Sequence, residues 1–367
     1  DAEIMLSLLQ EGGYEITADE NEAQAIIVNT CGFIADAKQE AIDNIIELGE
    51  LKKNGSLKAI IVTGCMAQRY RDEILKELPE VDAVVGIGEN KNICDIVSKA
   101  LGGCPYSPFS DRENLMMNGD RLLTSPSYTA YLRIADGCDN KCTYCAIPMI
   151  RGKFRSREME NIIAEAKNLA ENGAKEIILI AQDTTRYGED LYGEYKLPQL
   201  LDELQKIDGI EWIRILYTYP DKITDELISS IKRNDKVLHY LDIPMQHASD
   251  KILKRMNRSG DSKMLEDLIK KLRDEIPDIT IRTTFIVGFP GETDEDFERL
   301  AVFVKNSKFS RMGAFAYSAE EGTPAAEFED QIDDDVKSRR LEVLMTEQSV
   351  VNDDLAEGHI GETLDVL

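Results

Sequence analysis

Histidine is scarce in this 367-residue chain, which holds only His239, His247 and His359. A zinc enzyme built on several imidazoles, or a Ser-His-Asp hydrolase, therefore has little to work with. Positive charge is short as well: 43 Lys and Arg face 69 Asp and Glu, for a net charge of −26. That is the wrong sign for a protein that grips a phosphate backbone through many basic contacts. No apolar run approaches the roughly 18 residues of a membrane span, and the opening DAEIMLSLLQEGG is not a signal peptide. Solenoid repeats, low-complexity tracts and heptads are missing too. A soluble, cytoplasmic protein of two or three domains is expected, with 43% hydrophobic residues to fill its cores.

Seven cysteines are present, Cys31, Cys65, Cys94, Cys104, Cys138, Cys142 and Cys145. An odd number without an export signal argues against a disulfide framework and for reduced thiols doing metal or redox chemistry.

The first hundred residues alternate helical stretches (AEIMLSLLQ, QEAIDNIIELGEL, RDEILKEL, ICDIVSKAL) with short apolar strands (AQAIIVNT, KAIIVTG, DAVVGIG). This is the pattern of a parallel sheet wrapped by helices. Such a domain normally opens on a strand, and this one opens on a helix without methionine; a missing first strand and its loop are expected. Residues 102–127, rich in Gly, Pro, Ser and Asn, suggest an interdomain linker. A second series follows, with strands expected at YLRIAD, EIILIAQ, WIRILYT, HYLDIP, ITIRTTFIVG and GAFAYS and a closing helix DDVKSRRLEVLMTEQSVVNDDL. Six such units predict an open (β/α)6 barrel over 128–350, whose site lies at the C-terminal ends of its strands. The tail 351–367, ending GETLDVL, suggests the first strand of a further unit.

The most informative segment is IADGCDNKCTYCAIPMIRGKFRSR, with Cys138, Cys142 and Cys145 in C-x3-C-x2-C spacing directly after the first barrel strand. Three thiolates on one loop can hold three irons of a 4Fe-4S cluster, where an ordinary cluster takes four cysteines. The fourth iron is then open to a ligand. A structural zinc site would need a fourth Cys or His nearby, and none follows closely; chance clustering of core cysteines is the other alternative. The spacing, with Tyr144 before the last Cys, resembles the radical S-adenosylmethionine (SAM) enzymes. In that superfamily the open iron chelates SAM, and an electron from the cluster cleaves it to a carbon radical. A second pair, Cys31 in QAIIVNTCG and Cys65 in KAIIVTGCM, ends two similar strands, so both thiols are expected on one edge of the sheet. The alternative is that they simply fill turns. Cys94 and Cys104 are expected to be structural.

NTCGFI, TGCMAQRY, GCDNKCTYCAIPMIRGKFRSR, AQDTTRYG, DIPMQHASDKILKRMNR, RTTFIVGFPGET and AYSAEEGTPAA together resemble the methylthiotransferases. The resemblance covers nearly the whole chain. It implies an N-terminal methylthiotransferase domain (1–101) whose three cysteines hold an auxiliary 4Fe-4S cluster, a radical SAM barrel, and a C-terminal TRAM β-barrel. Of the auxiliary ligands only Cys31 and Cys65 carry over; the third, in a Gly-Cys segment, is expected outside the chain, and the TRAM domain is expected to be truncated. NTCGFI, KQEAIDNI and AQDTTRYG resemble the RimO-like branch, which modifies an aspartate of the twelfth protein of the small ribosomal subunit. The other branch modifies adenosine in transfer RNA. A surface of charge −26 suits a basic ribosomal protein better than RNA.

The implied cofactors are two 4Fe-4S clusters and SAM, and the implied partners a basic ribosomal protein and an electron donor such as a flavodoxin or ferredoxin. Gln182 and Asp183 end the second barrel strand, where radical SAM proteins contact the SAM amino group; turn capping is the alternative. Gln246 ends the fourth strand within reach of SAM, whereas His247 is expected to be a hydrogen-bonded turn residue. Gly288 would allow close backbone approach to adenine or merely form a tight turn. Arg151, Lys153, Arg155 and Arg157 form a basic run in which Arg151 and Arg155 are candidates for holding a carboxylate; a solvated loop is the alternative. GIGENK and GFPGET lack full P-loop spacing. From a different class, a non-catalytic iron-sulfur scaffold that binds the ribosome would need no SAM pocket.

Overall fold

The computed structural model describes residues 1–367 other than Pro105, Ser125, Asp365 and Leu367. The chain divides into two compact units, 1–124 with 145–153, and 125–144 with 154–367.

The first unit contains α1 (Ala2–Glu11), β1 (Ala25–Thr30), α2 (Ala35–Asn54), β2 (Ala59–Gly64), α3 (Cys65–Arg69), α4 (Arg71–Glu77), β3 (Ala83–Val84), α5 (Ile93–Leu101) and α6 (Ile147–Arg151). Its sheet runs β1-β2-β3, all parallel. Every residue of β2 is buried, and its side chains alternate between two cores. Ile60 and Val62 pack with Ile45, Leu48 and Ile74, while Ala59 and Ile61 pack with Met5, Leu9, Ile93 and Ile96. A strand covered on both faces must be apolar at every position, which is why KAIIVTG shows no alternation. DAVVGIG forms only the two-residue β3, because a 3-10 turn begins at Ile87.

The second unit carries a six-stranded parallel sheet: β4 (Thr129–Arg133), β7 (Glu176–Ile180), β8 (Trp212–Ile215), β9 (Val237–Gln246), β10 (Thr280–Val287) and β11 (Arg311–Ala316), paired in that order. The connections include α7 (Met159–Glu171), α8 (Glu189–Tyr192), α9 (Leu197–Leu204), α10 (Asp225–Arg233), α11 (Asp250–Arg255), α12 (Ser262–Glu275) and α13 (Asp294–Ser307), and α14 (Asp334–Gly358) closes the unit. Strands in sequential order, each followed by helix, give the open (β/α)6 arrangement, with β4 and β11 at its two free edges. A short antiparallel pair, β5 (Ala135–Asp136) with β6 (Arg155–Ser156), brackets the cysteine loop. Along β10 every second residue is buried, and Phe285 meets Phe303 of α13 at 6.2 Å between ring centroids. The other face of the sheet is polar, with Arg282 paired to Asp242 at 2.7 Å and Arg214 to Glu176 at 2.7 Å.

Three expected boundaries differ. The segment 102–127 is no loose linker: Leu115 is buried, Arg121 pairs with Glu3 at 2.9 Å, and Gly86 N–H donates to the Pro108 carbonyl at 3.2 Å. These bonds tie its described residues up to Thr124 into the first unit despite their Gly and Ser content. The expected boundary at 350 falls inside α14, where buried Gln348 and Val351 keep the helix packed. The expected strand GETLDVL shows no strand among its described residues, and its Asp365 and Leu367 lie outside them.

The β1 and β2 ends meet closely. Thr30 pairs with Gly64, and a Cβ on Gly64 would lie 2.4 Å from the Thr30 carbonyl oxygen. Gly64 also has φ 94° and ψ −161°, a region essentially reserved for glycine. Gly64→Ala is therefore expected to destabilise the protein by about 1–3 kcal/mol from backbone conformation alone, plus the clash. Gly13→Ala, at φ 83° with nothing within 4 Å, is the control and should lose less; urea unfolding of both variants checks this.

Candidate functional site

The thiols sit where the strands end. Asn29 pairs with Thr63 and Thr30 with Gly64 across β1 and β2, so Cys31 and Cys65 are the next residues along two neighbouring strands. The turns interlock through backbone: a Cβ on Gly32 would stand 2.6 Å from Met66 N. Arg69 donates to the Gly32 carbonyl at 2.7 Å. Arg151 on α6 lies 3.6 Å from Cys65 Sγ and pairs with Asp1 at 2.8 Å. Cys94 donates to the Leu8 carbonyl at 3.1 Å, and burial pushes its thiol pKa up, as suits a structural cysteine.

In the second unit, Cys138 and Cys142 lie on the loop after β5, and Cys145 follows directly in sequence. All three are partly exposed. Gly137 and Lys141 take positive φ of 79° and 52°, which turns the loop sharply on either side of Cys138. The loop has no regular structure and is held from outside. Thr143 N–H donates to the Met256 carbonyl at 3.0 Å, Thr143 Oγ1 to the Arg255 carbonyl at 2.8 Å, and Ala325 N–H to the Thr143 carbonyl at 3.0 Å. Asn257 Nδ2 donates to the Lys141 carbonyl at 2.9 Å. On the other side, Asn140 Nδ2 donates to Asp183 Oδ2 at 2.8 Å. Tyr144 packs beside Ile252, Met256, Phe289 and Tyr317.

Burial pushes the Cys138 thiol up to about 11, against a bond from the Asn140 backbone that favours the thiolate. A bare thiolate is thus disfavoured there, and a bound cation reverses that preference, as for any coordinating thiol. Among the described residues no three or more Cys, His, Asp and Glu converge on one metal ion. An iron-sulfur cluster puts each thiolate on its own iron and needs no such convergence.

Gln182 directly follows Ala181 beyond β7, and its buried Oε1 has no hydrogen-bond partner. An orphaned acceptor at a strand's C-terminal end fits an ammonium group of a ligand, and the donor set and this atom together fit a cluster with bound SAM. Asp183 is fully buried, and both its oxygens are used, one by Asn140 and one by Thr185 Oγ1 at 2.5 Å. Burial raises its pKa, with those two bonds opposing. Gln246 ends β9 at φ 71°, an uncommon conformation for a side-chain-bearing residue that aims it off the strand direction.

Other expected residues have structural partners. Gly288, at φ 68°, gives its N–H to Glu292 at 2.8 Å, and the space a Cβ would take holds the Lys337 stem 2.3 Å away. These features are those of a tight turn. His247 is buried, and its Nδ1 accepts from Ser249 N–H at 2.9 Å, a turn bond as expected. Thr293 and Asp296 form a reciprocal capping box at the start of α13. The basic run splits: Arg155 pairs with buried Asp136 at 3.1 Å, Arg157 is buried against Glu165 at 2.6 Å, and only Lys153 is exposed as a solvated loop would be. Arg258 and Tyr219 escaped notice in the sequence, yet Arg258 Nη1 and Tyr219 Oη lie 3.9 and 3.8 Å from Cys142 Sγ. The only signal was that Arg258 closes DKILKRMNR; nothing in spacing links it to a cysteine 116 residues earlier.

A parallel (β/α)6 sheet with a three-thiol loop after its first strand defines the radical SAM enzymes as the class. Accordingly, residues 132–304 match the model of the Radical SAM superfamily, and residues 1–86 that of Uncharacterized protein family UPF0004. The chain is 52% identical to the ribosomal protein uS12 methylthiotransferase RimO of Clostridioides difficile, over 100% of this chain and 83% of that protein. It is 53% identical to the protein of the same name from Lachnoclostridium phytofermentans, over 100% and 84%. Among solved structures it resembles the radical S-adenosylmethionine methyltransferase TsrM of Kitasatospora setae, with TM-score 0.64 and 14% identity over 86% of this chain and 71% of that one, a likeness of fold. The chain belongs to the RimO family of ribosomal protein uS12 methylthiotransferases. It is a radical SAM enzyme, and the cofactors of that chemistry are a 4Fe-4S cluster and SAM. No helix among the described residues is long and apolar enough to cross a membrane.

The bond from Asn140 to Asp183 ties the cysteine loop to the end of β7. Asp183→Ala is expected to weaken iron retention roughly tenfold, the usual cost of losing a group that orients a metal-binding segment. Iron and sulfide analysis after timed exposure to a chelator measures it; retention equal to wild type would contradict the assignment.

Proposed function

We propose that this protein adds a methylthio group to the β-carbon of an aspartate in ribosomal protein uS12. The observation that carries the reading is the three-cysteine loop, which offers three thiolates to a cluster whose fourth iron stays open. The identity to proteins named for this activity supports the substrate. So does the charge of −26, which attracts a basic protein and repels a phosphate backbone.

An aspartate β-carbon is unactivated, so a general base or nucleophile has no purchase on its C–H bond. When bound, the cluster and SAM supply the electron and the carbon radical that this bond requires. The chain's own residues then bind, orient and exclude water. Cys138, Cys142 and Cys145 would hold the radical-generating cluster, and Tyr144 of the same loop packs against the core of Ile252, Met256, Phe289 and Tyr317. Gln182 offers its unpartnered oxygen to the SAM amino group, Gln246 reaches SAM from the end of β9, and Asp183 holds the loop through Asn140. Cys31 and Cys65 would be ligands of an auxiliary cluster, which would supply sulfur. Arg151, 3.6 Å from Cys65, is better suited to orient that thiolate than to hold a substrate carboxylate. Arg155, already paired with Asp136, braces the loop. A low-potential flavodoxin or ferredoxin supplies the electrons.

Anaerobic reconstitution, SAM and a reductant test the reading. At least about four irons per chain are expected, with a methylthio mass gain on uS12 and none on transfer RNA. Cys142→Ala should abolish both SAM cleavage and the mass gain. Zinc without iron would sink the enzyme reading, and gain on transfer RNA alone would overturn the substrate.

A further inference from the structure

We propose that Arg258 is a positioning residue that sets the reduction potential of the radical-generating cluster through the thiolate of Cys142, with Tyr219 as its support. This rests on the reading of Cys138, Cys142 and Cys145 as cluster ligands. The observation is a clamp. Four consecutive residues, Arg255 to Arg258, all bond to three consecutive residues of the loop, Lys141 to Thr143. Arg255 and Met256 do so through carbonyls that accept from Thr143, at 2.8 and 3.0 Å. Asn257 uses its amide on the Lys141 carbonyl at 2.9 Å, and its own φ of 55° turns the chain so that the next residue reaches the sulfur. Arg258 then brings Nη1 to 3.9 Å from Cys142 Sγ.

The guanidinium is fixed on its other sides. Its Nη2 donates to the Pro244 carbonyl, and its plane lies over the Tyr219 ring with its carbon 4.0 Å from the centroid. The Tyr219 hydroxyl stands 3.8 Å from the same sulfur. Two donors, one of them a cation, therefore converge on one cluster ligand. Loop geometry alone would not require this, because the backbone bonds of Thr143 and Asn257 already hold it.

Reduction adds one negative charge to the cluster, in a chain that already carries −26. A cation and hydrogen bonds at a ligand sulfur favour the reduced form and raise the potential. Without them, a donor of given potential leaves fewer clusters reduced. No bond is made or broken by Arg258; the electron comes from the external low-potential donor.

The test is a mediated redox titration of the reconstituted full chain, followed by the electron paramagnetic resonance signal of the reduced cluster, for wild type, Arg258→Gln, Arg258→Lys and Tyr219→Phe. Arg258→Gln should lower the midpoint so that the reduction equilibrium falls about tenfold, which is 59 mV for one electron. Arg258→Lys, which keeps the charge but not the planar fork, should recover part of the shift, and Tyr219→Phe should show a smaller shift in the same direction. An Arg258→Gln midpoint equal to wild type at equal iron content overturns the inference. If that variant holds no iron, unchanged midpoints in both Arg258→Lys and Tyr219→Phe overturn it instead. Wild type that takes up no iron would fail the underlying ligand reading, a result distinct from an unshifted midpoint in loaded protein.

Discussion

The loop that carries Cys138 and Cys142 forms no helix or strand of its own, so its order comes from the segments around it. In this protein residues 140–143 are held by the Arg255–Arg258 segment on one side and by buried Asp183 on the other, with the Ala325 N–H also bonded to the Thr143 carbonyl. Both supports depend on the sheet. Asp183 stands just past β7, and the Arg255–Arg258 segment closes the helix that follows β9, so the spacing of those strands determines where the loop can be caught. A carboxylate buried as deeply as Asp183 is costly unless its oxygens are occupied. Thr185 and Asn140 occupy them, and the bond that satisfies the acid is the one that orders the cysteine loop.

Much of this was legible in the sequence. Strand order followed from six apolar runs separated by helical stretches, because parallel strands joined through helices leave few ways to connect. The metal chemistry was legible in C-x3-C-x2-C, where all the information lies within eight residues. The pairing of Cys31 with Cys65 could also be anticipated, since β1 and β2 end on similar sequences and parallel register does the rest.

What could not be read was anything that depends on contact between distant segments. That the Lys337 stem fills the space a Cβ on Gly288 would need is visible only in the fold. Arg155 and Arg157 look like an anion-binding run, yet Arg155 lies in β6 and Arg157 beyond it, and each meets a carboxylate that sequence spacing does not reveal. The segment 102–127 has the composition of a linker, but Ser107 Oγ accepts from the Val84 N–H of β3 and the Pro108 carbonyl accepts from the Gly86 N–H just beyond it. Composition reports how freely a segment can bend; it does not report whether a neighbour offers hydrogen bonds that stop it.

The interlocked turns after β1 and β2 fix a length scale. Gly32 lies against the backbone of Cys65 and Met66, and Gly64 against the Thr30 backbone and the Asn29 side chain, so the two strands end in close contact. The Cys31 and Cys65 backbones leave the sheet at the spacing of adjacent strands, about 4.8 Å. That spacing comes from the peptide hydrogen bond and is the same whatever residues line the surface. The two thiols are therefore measured off by the sheet itself, and their starting separation is insensitive to substitutions that would shift a site assembled from side chains alone.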